Sequence, residues 1–164
     1  MNLNNLKFYN SLTLFGHESQ FHNLIRLYQA QKFPKALLFS GKKGQGKSTL
    51  IFHFLNYVFN ENNYNKEKRK INEKSTVYNQ ILNKTFENII YINGEDNSEA
   101  NIENIRKLRN LLSQSTMSSA HRFIVLNDIE LFNNNCLNAL LKIIEEPSFN
   151  NFFILIYNQT KKIL

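Results

Sequence analysis

A short apolar run followed by a glycine-rich loop constrains this chain more than any other feature. Residues 36–39 are apolar, and the next residues match the pattern G-x-x-x-x-G-K-S, from Gly41 through Gly46 and Lys47 to Ser48. Apolar residues then recur at helical spacing. The sequence therefore predicts a buried strand, a tight turn and an amphipathic helix, which is the context in which this pattern binds phosphate groups.

The residue types in this loop suit a nucleoside triphosphate. Glycines at 41, 44 and 46 allow backbone N–H groups to point towards phosphates, in conformations that a Cβ penalises. A helix that begins near Lys47 adds its own N–H groups. Lys47 is predicted to contact the β- and γ-phosphates, and Ser48 is predicted to bind Mg²⁺. The alternative is a chance glycine-rich turn. The predicted nucleotide-binding residues are Gly41, Gly44, Gln45, Gly46, Lys47, Ser48 and Thr49.

Composition limits the class of protein. The 164 residues suffice for one domain, and a net charge of +7 suits nucleotide or nucleic-acid partners. The single cysteine, Cys136, excludes an internal disulfide and a four-cysteine zinc site. Neither a signal peptide nor a membrane-length apolar run is present in the sequence, so we expect a soluble cytoplasmic protein without a membrane partner.

The rest of the chain alternates strands and helices. Residues 88–93, 122–128 and 152–157 are predicted as strands, the second buried on both faces. This alternation predicts an α/β fold with a mainly parallel sheet. Helices are predicted after residues 14–18, over 100–112, and over 133–146, where Pro147 ends the helix. The predicted core faces of the last two helices are Ile102, Ile105, Leu108, Leu111 and Leu112, and Leu137, Leu140, Leu141 and Ile144, with Cys136 as a small packing residue beside the second face.

A polar segment, residues 60–84, interrupts this pattern. It carries a small basic cluster, interspersed with glutamates at 67 and 73. One interpretation is a surface that faces DNA, and the other, which charge runs usually favour, is a solvated helix or mobile insert. The basic residues are Lys66, Lys68, Arg69, Lys70 and Lys74.

Three segments together resemble one protein family. They are LFGHE at 14–18, FPKALLFSG at 33–41, where Lys35 replaces a usual histidine, and CLNALLKIIEEP at 136–147. These segments are similar to those of the bacterial clamp-loader subunits of DNA polymerase III, and within them to the delta-prime type. The resemblance covers residues 14–164, with residues 1–13 as a lead-in and 60–84 as a variable insert.

The resemblance implies a three-layer αβα domain of the AAA+ type that binds ATP or ADP with Mg²⁺. It also implies a role in placing the sliding clamp on primed DNA. The implied partners are the gamma/tau and delta subunits and, through them, the clamp and primer-template DNA. Gamma/tau subunits usually carry a four-cysteine zinc module, and residues 60–84 contain no cysteine. The expectation is therefore a delta-prime type without zinc.

The strand before the NALLK helix departs from the family pattern. Active members end it with Asp-Glu, and here Asn127 and Asp128 stand in those positions. Asp128 is the candidate catalytic carboxylate and Mg²⁺ ligand, and Asn158 lies at the family's first sensor position. A shift of one residue would instead use Asp128 with Glu130, as in a hydrolysing ATPase of the gamma/tau type. We expect nucleotide binding with weak or absent hydrolysis, because loss of one catalytic group costs about 10²–10⁴ in rate.

The family continues past the last strand with a Ser-Arg-Cys segment, a helical lid and a helical collar. This sequence stops at Leu164, before all three. The resemblance therefore implies an N-terminal fragment or a truncated gene, which would assemble poorly alone.

Overall fold

The computed structural model describes residues 8–96, 98–113, 121–146 and 150–160, which fall into two compact units. The helical unit comprises Met1–Phe33 and Gly46–Phe86, and the sheet unit comprises Pro34–Gln45 and Glu87–Leu164. The boundary between them divides the glycine-rich loop. Part of the lead-in, Pro147 and the last four residues lie outside the described residues. No helix within the described ranges is long and apolar enough to span a membrane.

The helices and strands follow the predicted alternation. In chain order they are α1 (Glu18–Gln29), β1 (Ala36–Ser40), α2 (Lys47–Phe59), β2 (Tyr64–Asn65), β3 (Lys70–Ile71), α3 (Thr76–Leu82), β4 (Ile89–Asn93), α4 (Ile102–Ser113), β5 (Arg122–Asn127), α5 (Asn134–Glu145) and β6 (Asn151–Tyr157).

Helix α2 forms the centre of the helical unit. Every residue from 50 to 57 is buried, so the prediction of an amphipathic helix is wrong. The reason is that α1, α3 and β3 all pack against α2, and a helix surrounded in this way buries residues on every side. An aromatic cluster of Phe21, Tyr57 and Tyr64, with ring centroids 5.6–6.2 Å apart, joins α1, α2 and β2. Such aromatic pairs contribute about 0.5–1.5 kcal/mol each beyond the area they bury.

The polar segment at 60–84 is folded rather than a mobile insert. Its strands β2 and β3 form an antiparallel hairpin in which Tyr64 pairs with Ile71, and both side chains are buried. The lead-in pairs with this hairpin, since the Ile71 N–H donates to the Leu12 carbonyl oxygen at 2.9 Å. The Tyr78 hydroxyl on α3 donates to the Tyr9 carbonyl oxygen at 3.2 Å. The apolar residues in this polar segment therefore fasten it to the rest of the helical unit.

The sheet unit contains four parallel strands in the order β1-β6-β5-β4, which confirms the predicted α/β fold. Helices α4 and α5 pack against each other and against one face of this sheet. Ile105 and Leu140, from the two helices, share one core with Ile124 and Phe153 from the central strands. All six residues of β5 are buried, as its apolar run predicts.

Strand β1 is not the buried strand that the sequence predicts. Its residues are alternately exposed and half-buried, and 56% of Leu38 is exposed. The reason is its position, because among the described residues β1 pairs with β6 alone and forms one edge of the sheet. An apolar run indicates a strand, but it does not indicate where in the sheet that strand lies.

The core faces of α4 and α5 differ in part from the prediction. Leu111 and Leu141 are 44% and 53% exposed. In α5 the buried residues are Cys136, Leu140 and Ile143, so the predicted packing role of the cysteine is confirmed. Consecutive apolar residues in LLKII allow two adjacent helical faces, and the packing of α4 against α5 selects one of them.

Candidate functional site

The first half of the glycine-rich loop continues from β1 in the sheet unit. The Gly41 N–H donates to the Tyr157 carbonyl oxygen at 3.2 Å, which extends the pairing of β1 with β6. This N–H is therefore used within the sheet. Gly44 has φ +84°, in the left-handed region that glycine favours, and a Cβ there would contact nothing within 4 Å. Gln45 ends this half of the loop and is exposed.

The second half of the loop belongs to the helical unit and leads into α2. Gly46, with φ +79°, precedes the first helical residue, and no side chain caps the helix at this position. Lys47 is 8% exposed, while Ser48 and Thr49 are half-buried. The predicted turn into a helix N-terminus is thus confirmed, and it has the geometry that suits an anion.

His17 lies beside this glycine. A Cβ built at Gly46 would come within 3.3 Å of the His17 Nε2 atom. The histidine is the N-cap residue of α1 and has φ 52°. A side chain at position 46 would therefore have to displace the imidazole, in addition to adopting an unfavourable backbone conformation.

The two predicted catalytic residues meet where β5 and β6 end. The Asn158 Nδ2 atom donates to Asp128 Oδ1 at 2.5 Å, and Asn127 Nδ2 donates to Asp128 Oδ2. Asp128 is 3% exposed, and burial raises its pKa, although the hydrogen bond from Asn158 acts in the opposite direction. Because parallel strands end at the same edge of a sheet, residues from separate segments converge here. Both carboxylate oxygens are already bound by amide groups.

The sequence gives Glu130 a role only if the alignment with the family is shifted by one residue. Glu130 is 7% exposed, and its two carboxylate oxygens each accept the Asn158 backbone N–H at 3.2 Å. The Thr160 hydroxyl donates to Glu130 Oε1 at 2.8 Å. Glu130 therefore holds the chain where it leaves β6 and positions Asn158. A glutamate two residues beyond Asp128 is visible in the sequence, but its inward orientation is not.

Gly94 is a residue near this cluster that the sequence does not single out. It follows β4, and its N–H donates to the Asn127 carbonyl oxygen at 2.8 Å. A Cβ on this residue would lie only 2.2 Å from the Asp128 carbonyl oxygen. The backbone that carries Asp128 can approach β4 this closely because residue 94 has no side chain.

An ion pair ties the loop to the segment after β4. Lys43 contacts Glu95, and the two side chains are 57% and 50% exposed. The hydrogen bond to Glu95 raises the pKa of Lys43. Since both groups are exposed, the pair contributes about 0–1 kcal/mol to stability. It places a second cation of the loop among the residues that end the parallel strands.

Comparison with known proteins supports the resemblance. The family described as DNA polymerase III, delta subunit, matches residues 16–164. The chain is 26% identical over 136 residues to DNA polymerase III subunit tau of Bacillus subtilis, covering 81% of this chain and 23% of that protein. It is 24% identical over 151 residues to DNA polymerase III subunit delta' of Buchnera aphidicola, covering 86% and 42%. This chain thus spans less than half the length of either relative.

A solved structure supports the fold. The crystal structure of a DNA polymerase III gamma subunit-related protein from Thermotoga maritima matches with a TM-score of 0.57. The match covers 88% of this chain and 41% of that one, at 19% identity, so it concerns the fold alone. Because the family match extends over most of the sequence, the chain belongs to the family described as DNA polymerase III, delta subunit.

Proposed function

We propose that this chain is the nucleotide-binding part of a clamp-loader subunit of the delta-prime type. It binds ATP or ADP with Mg²⁺ through the loop at 41–49 and hydrolyses the nucleotide weakly or not at all. In the cytoplasm it acts with gamma/tau and delta subunits to place the sliding clamp on primer-template DNA. Family membership supports this role, but relatives named tau and delta' match at similar identity. The choice between the two types therefore rests on the site.

The loop residues fit a polyphosphate. Gly44 and Gly46 adopt left-handed conformations, and α2 begins directly after Gly46. Lys47 supplies a cation at this helix N-terminus, and the Ser48 hydroxyl is the proposed Mg²⁺ ligand of the loop. When bound, Mg²⁺ neutralises phosphate oxygens. The backbone of the loop binds the anion without needing a catalytic carboxylate.

The observation that carries the proposal of weak hydrolysis is the state of Asp128. Its two oxygens accept hydrogen bonds from Asn127 and Asn158, and it is almost fully buried. A carboxylate must accept a proton from water, or coordinate a metal, in order to support hydrolysis. Proton transfer and metal coordination would both compete with these amide hydrogen bonds, and burial already disfavours the charged form of Asp128. Asn127 is uncharged and therefore does not replace the Asp128 carboxylate.

Nucleotide binding is tested with Lys47→Ala and a fluorescent ATP analogue. Removal of a charged phosphate contact of about 1.5–3 kcal/mol should weaken binding about 10- to 150-fold. Lys142→Ala, at an exposed position on α5, is the matched control and should bind like the unaltered chain. Equal affinity of the Lys47 variant would contradict the proposed use of the loop.

Hydrolysis is tested by steady-state phosphate release with and without Asp128→Ala. We expect turnover at the background level in both proteins. Turnover that is measurable in the unaltered chain and abolished by Asp128→Ala would contradict the delta-prime type and support a hydrolysing ATPase of the gamma/tau type. The binding assay must show that both proteins carry nucleotide under the same conditions.

A further inference from the structure

The ion pair between Lys43 and Glu95 joins two segments that lie 52 residues apart in the sequence. We propose that this pair is a latch on the glycine-rich loop. A polyphosphate bound by the loop takes Lys43 away from Glu95, and the loss of the ion pair loosens the segment that leads into α4. The inference rests on the proposed nucleotide binding and adds a regulatory element to the same site.

Lys43 is suited to exchanging one anionic partner for another. It directly precedes Gly44 in the proposed phosphate loop, and 57% of its side chain is exposed. A lysine carries a point charge on a flexible stem with three rotatable donors, so a change of partner requires no fixed orientation. The hydrogen bond to Glu95 and the charges of Asp128 and Glu130 raise the pKa of Lys43, against the opposing effect of burial. The charged lysine is thus attracted by the carboxylates near the strand ends.

Glu95 lies on a segment that is tied to the start of α4. Its N–H donates to Asn93 Oδ1 at 3.2 Å, and the Asn93 N–H donates to Glu99 Oε2 at 3.1 Å. The Glu99 and Ala100 N–H groups both donate to the Asp96 carbonyl oxygen at 2.9 Å. Ala100 is 9% exposed and belongs to the core that α4 shares with α5. The ion pair at Glu95 therefore stabilises the turn from which α4 continues.

The strength of the ion pair sets the size of the effect. An exposed pair of this kind shifts an equilibrium by up to about 5-fold. Phosphate oxygens form stronger, charge-assisted hydrogen bonds with an ammonium group, so they compete with a single exposed carboxylate for Lys43. Because coupling between two binding events is reciprocal, Glu95 weakens nucleotide binding by the same factor by which nucleotide loosens the segment of Glu95.

The affinity for a fluorescent ATP analogue with Mg²⁺ tests the latch. Glu95→Gln should bind the analogue about 2- to 5-fold more tightly than the unaltered chain, because no ion pair with residue 95 has to break. Glu103→Gln is the matched control, since it removes the same charge from an exposed ion pair with Lys107 on α4. This control should bind like the unaltered chain. A Glu95→Gln variant that binds no more tightly than the control would overturn the proposal.

A double-mutant cycle separates release of Lys43 from simple repulsion between Glu95 and the phosphates. Lys43→Gln removes the cation for which both anions compete. In that background the further change Glu95→Gln should raise the affinity by less than it does in the unaltered chain. A gain of equal size in both backgrounds would show that Glu95 acts by its charge alone, and it would overturn the latch.

Amide hydrogen exchange tests the connection to α4. Nucleotide should speed exchange at Glu99 and Ala100 by up to about 5-fold in the unaltered chain and should leave it unchanged in Glu95→Gln. Exchange that nucleotide does not alter in the unaltered chain would overturn the coupling. Lys47→Ala distinguishes the two proposals. Equal affinity of this variant contradicts the use of the loop and the latch with it, whereas binding that Lys47→Ala weakens and Glu95→Gln does not improve contradicts the latch alone.

Discussion

The close approach of Gly94 to the Asp128 backbone yields a strong prediction for stability. Gly94→Ala adds a Cβ that would lie 2.2 Å from the Asp128 carbonyl oxygen and 3.1 Å from a ring carbon of Phe132. An ordinary contact between carbon and carbonyl oxygen is about 3.3–3.6 Å, so the two backbone segments must separate by about 1 Å. Neither is a flexible side chain that could rotate away.

The energetic cost follows from two terms. Forcing an extra methyl group into a packed site costs about 1–3 kcal/mol. The separation also stretches the 2.8 Å hydrogen bond from the Gly94 N–H to the Asn127 carbonyl oxygen, at a further cost of about 0.5–1.5 kcal/mol. We therefore expect Gly94→Ala to lower the free energy of unfolding by about 2–4 kcal/mol.

Urea denaturation followed by circular dichroism measures this loss. Gly44→Ala is the control, because its Cβ would meet nothing within 4 Å and only the left-handed conformation, at about 1–2 kcal/mol, opposes the change. A loss for Gly94→Ala that is no larger than the loss for Gly44→Ala would refute the argument from close approach. The denaturation slope should stay unchanged, since neither variant alters the surface exposed on unfolding.

Three further predictions concern stability. Burial lowers the pKa of His53 to about 4, so the unfolded chain binds more protons than the folded chain between about pH 6.5 and 4. The free energy of unfolding should therefore fall by about 3 kcal/mol as the pH falls through this window. In urea titrations at several pH values, His53→Gln should lack this part of the decline. Glu130→Gln should lower the free energy of unfolding by about 1–3 kcal/mol, because the amide NH2 that replaces one carboxylate oxygen then faces the Asn158 N–H, donor against donor. An unchanged urea midpoint would contradict the positioning role. Leu140→Ala should cost about 2–5 kcal/mol and Leu141→Ala less than about 1 kcal/mol in thermal or urea unfolding, and the reverse order would contradict the observed face of α5.

The elements that could be predicted are those whose pattern is local. The three strands at 88–93, 122–128 and 152–157 are bounded apolar runs, and the structure has a strand in each. The glycine-rich loop also specifies its own turn, since Gly44 and Gly46 adopt the left-handed conformations that only glycine accepts readily. These features depend on residues close together in sequence.

The errors concern properties that depend on distant residues. Leu38 is exposed because β1 lies at an edge, and the position of a strand in a sheet is set by the whole topology. The burial of Tyr64 and Ile71 within a polar segment depends on their packing against the helical unit. Polar composition alone therefore overestimated the mobility of this segment.

The candidate site shows the same division. Asp128 and Asn158 could be proposed from the family resemblance, and the structure places them in contact. The roles of Glu130 and Gly94 could not, because a buried orientation and a close backbone approach arise only when strands far apart in sequence come together. Residues with such roles have no characteristic spacing in the sequence.

The strand order β1-β6-β5-β4 has a consequence for how the chain acquires its structure. Ala36 of the first strand pairs with Phe153 of the last, so β1 finds its parallel neighbour only after nearly all of the sheet unit has been synthesised. Contacts this distant in sequence slow folding, because a long loop must close before they stabilise the chain. During translation, β1, which leads into the glycine-rich loop, therefore remains unpaired for longer than β4 or β5.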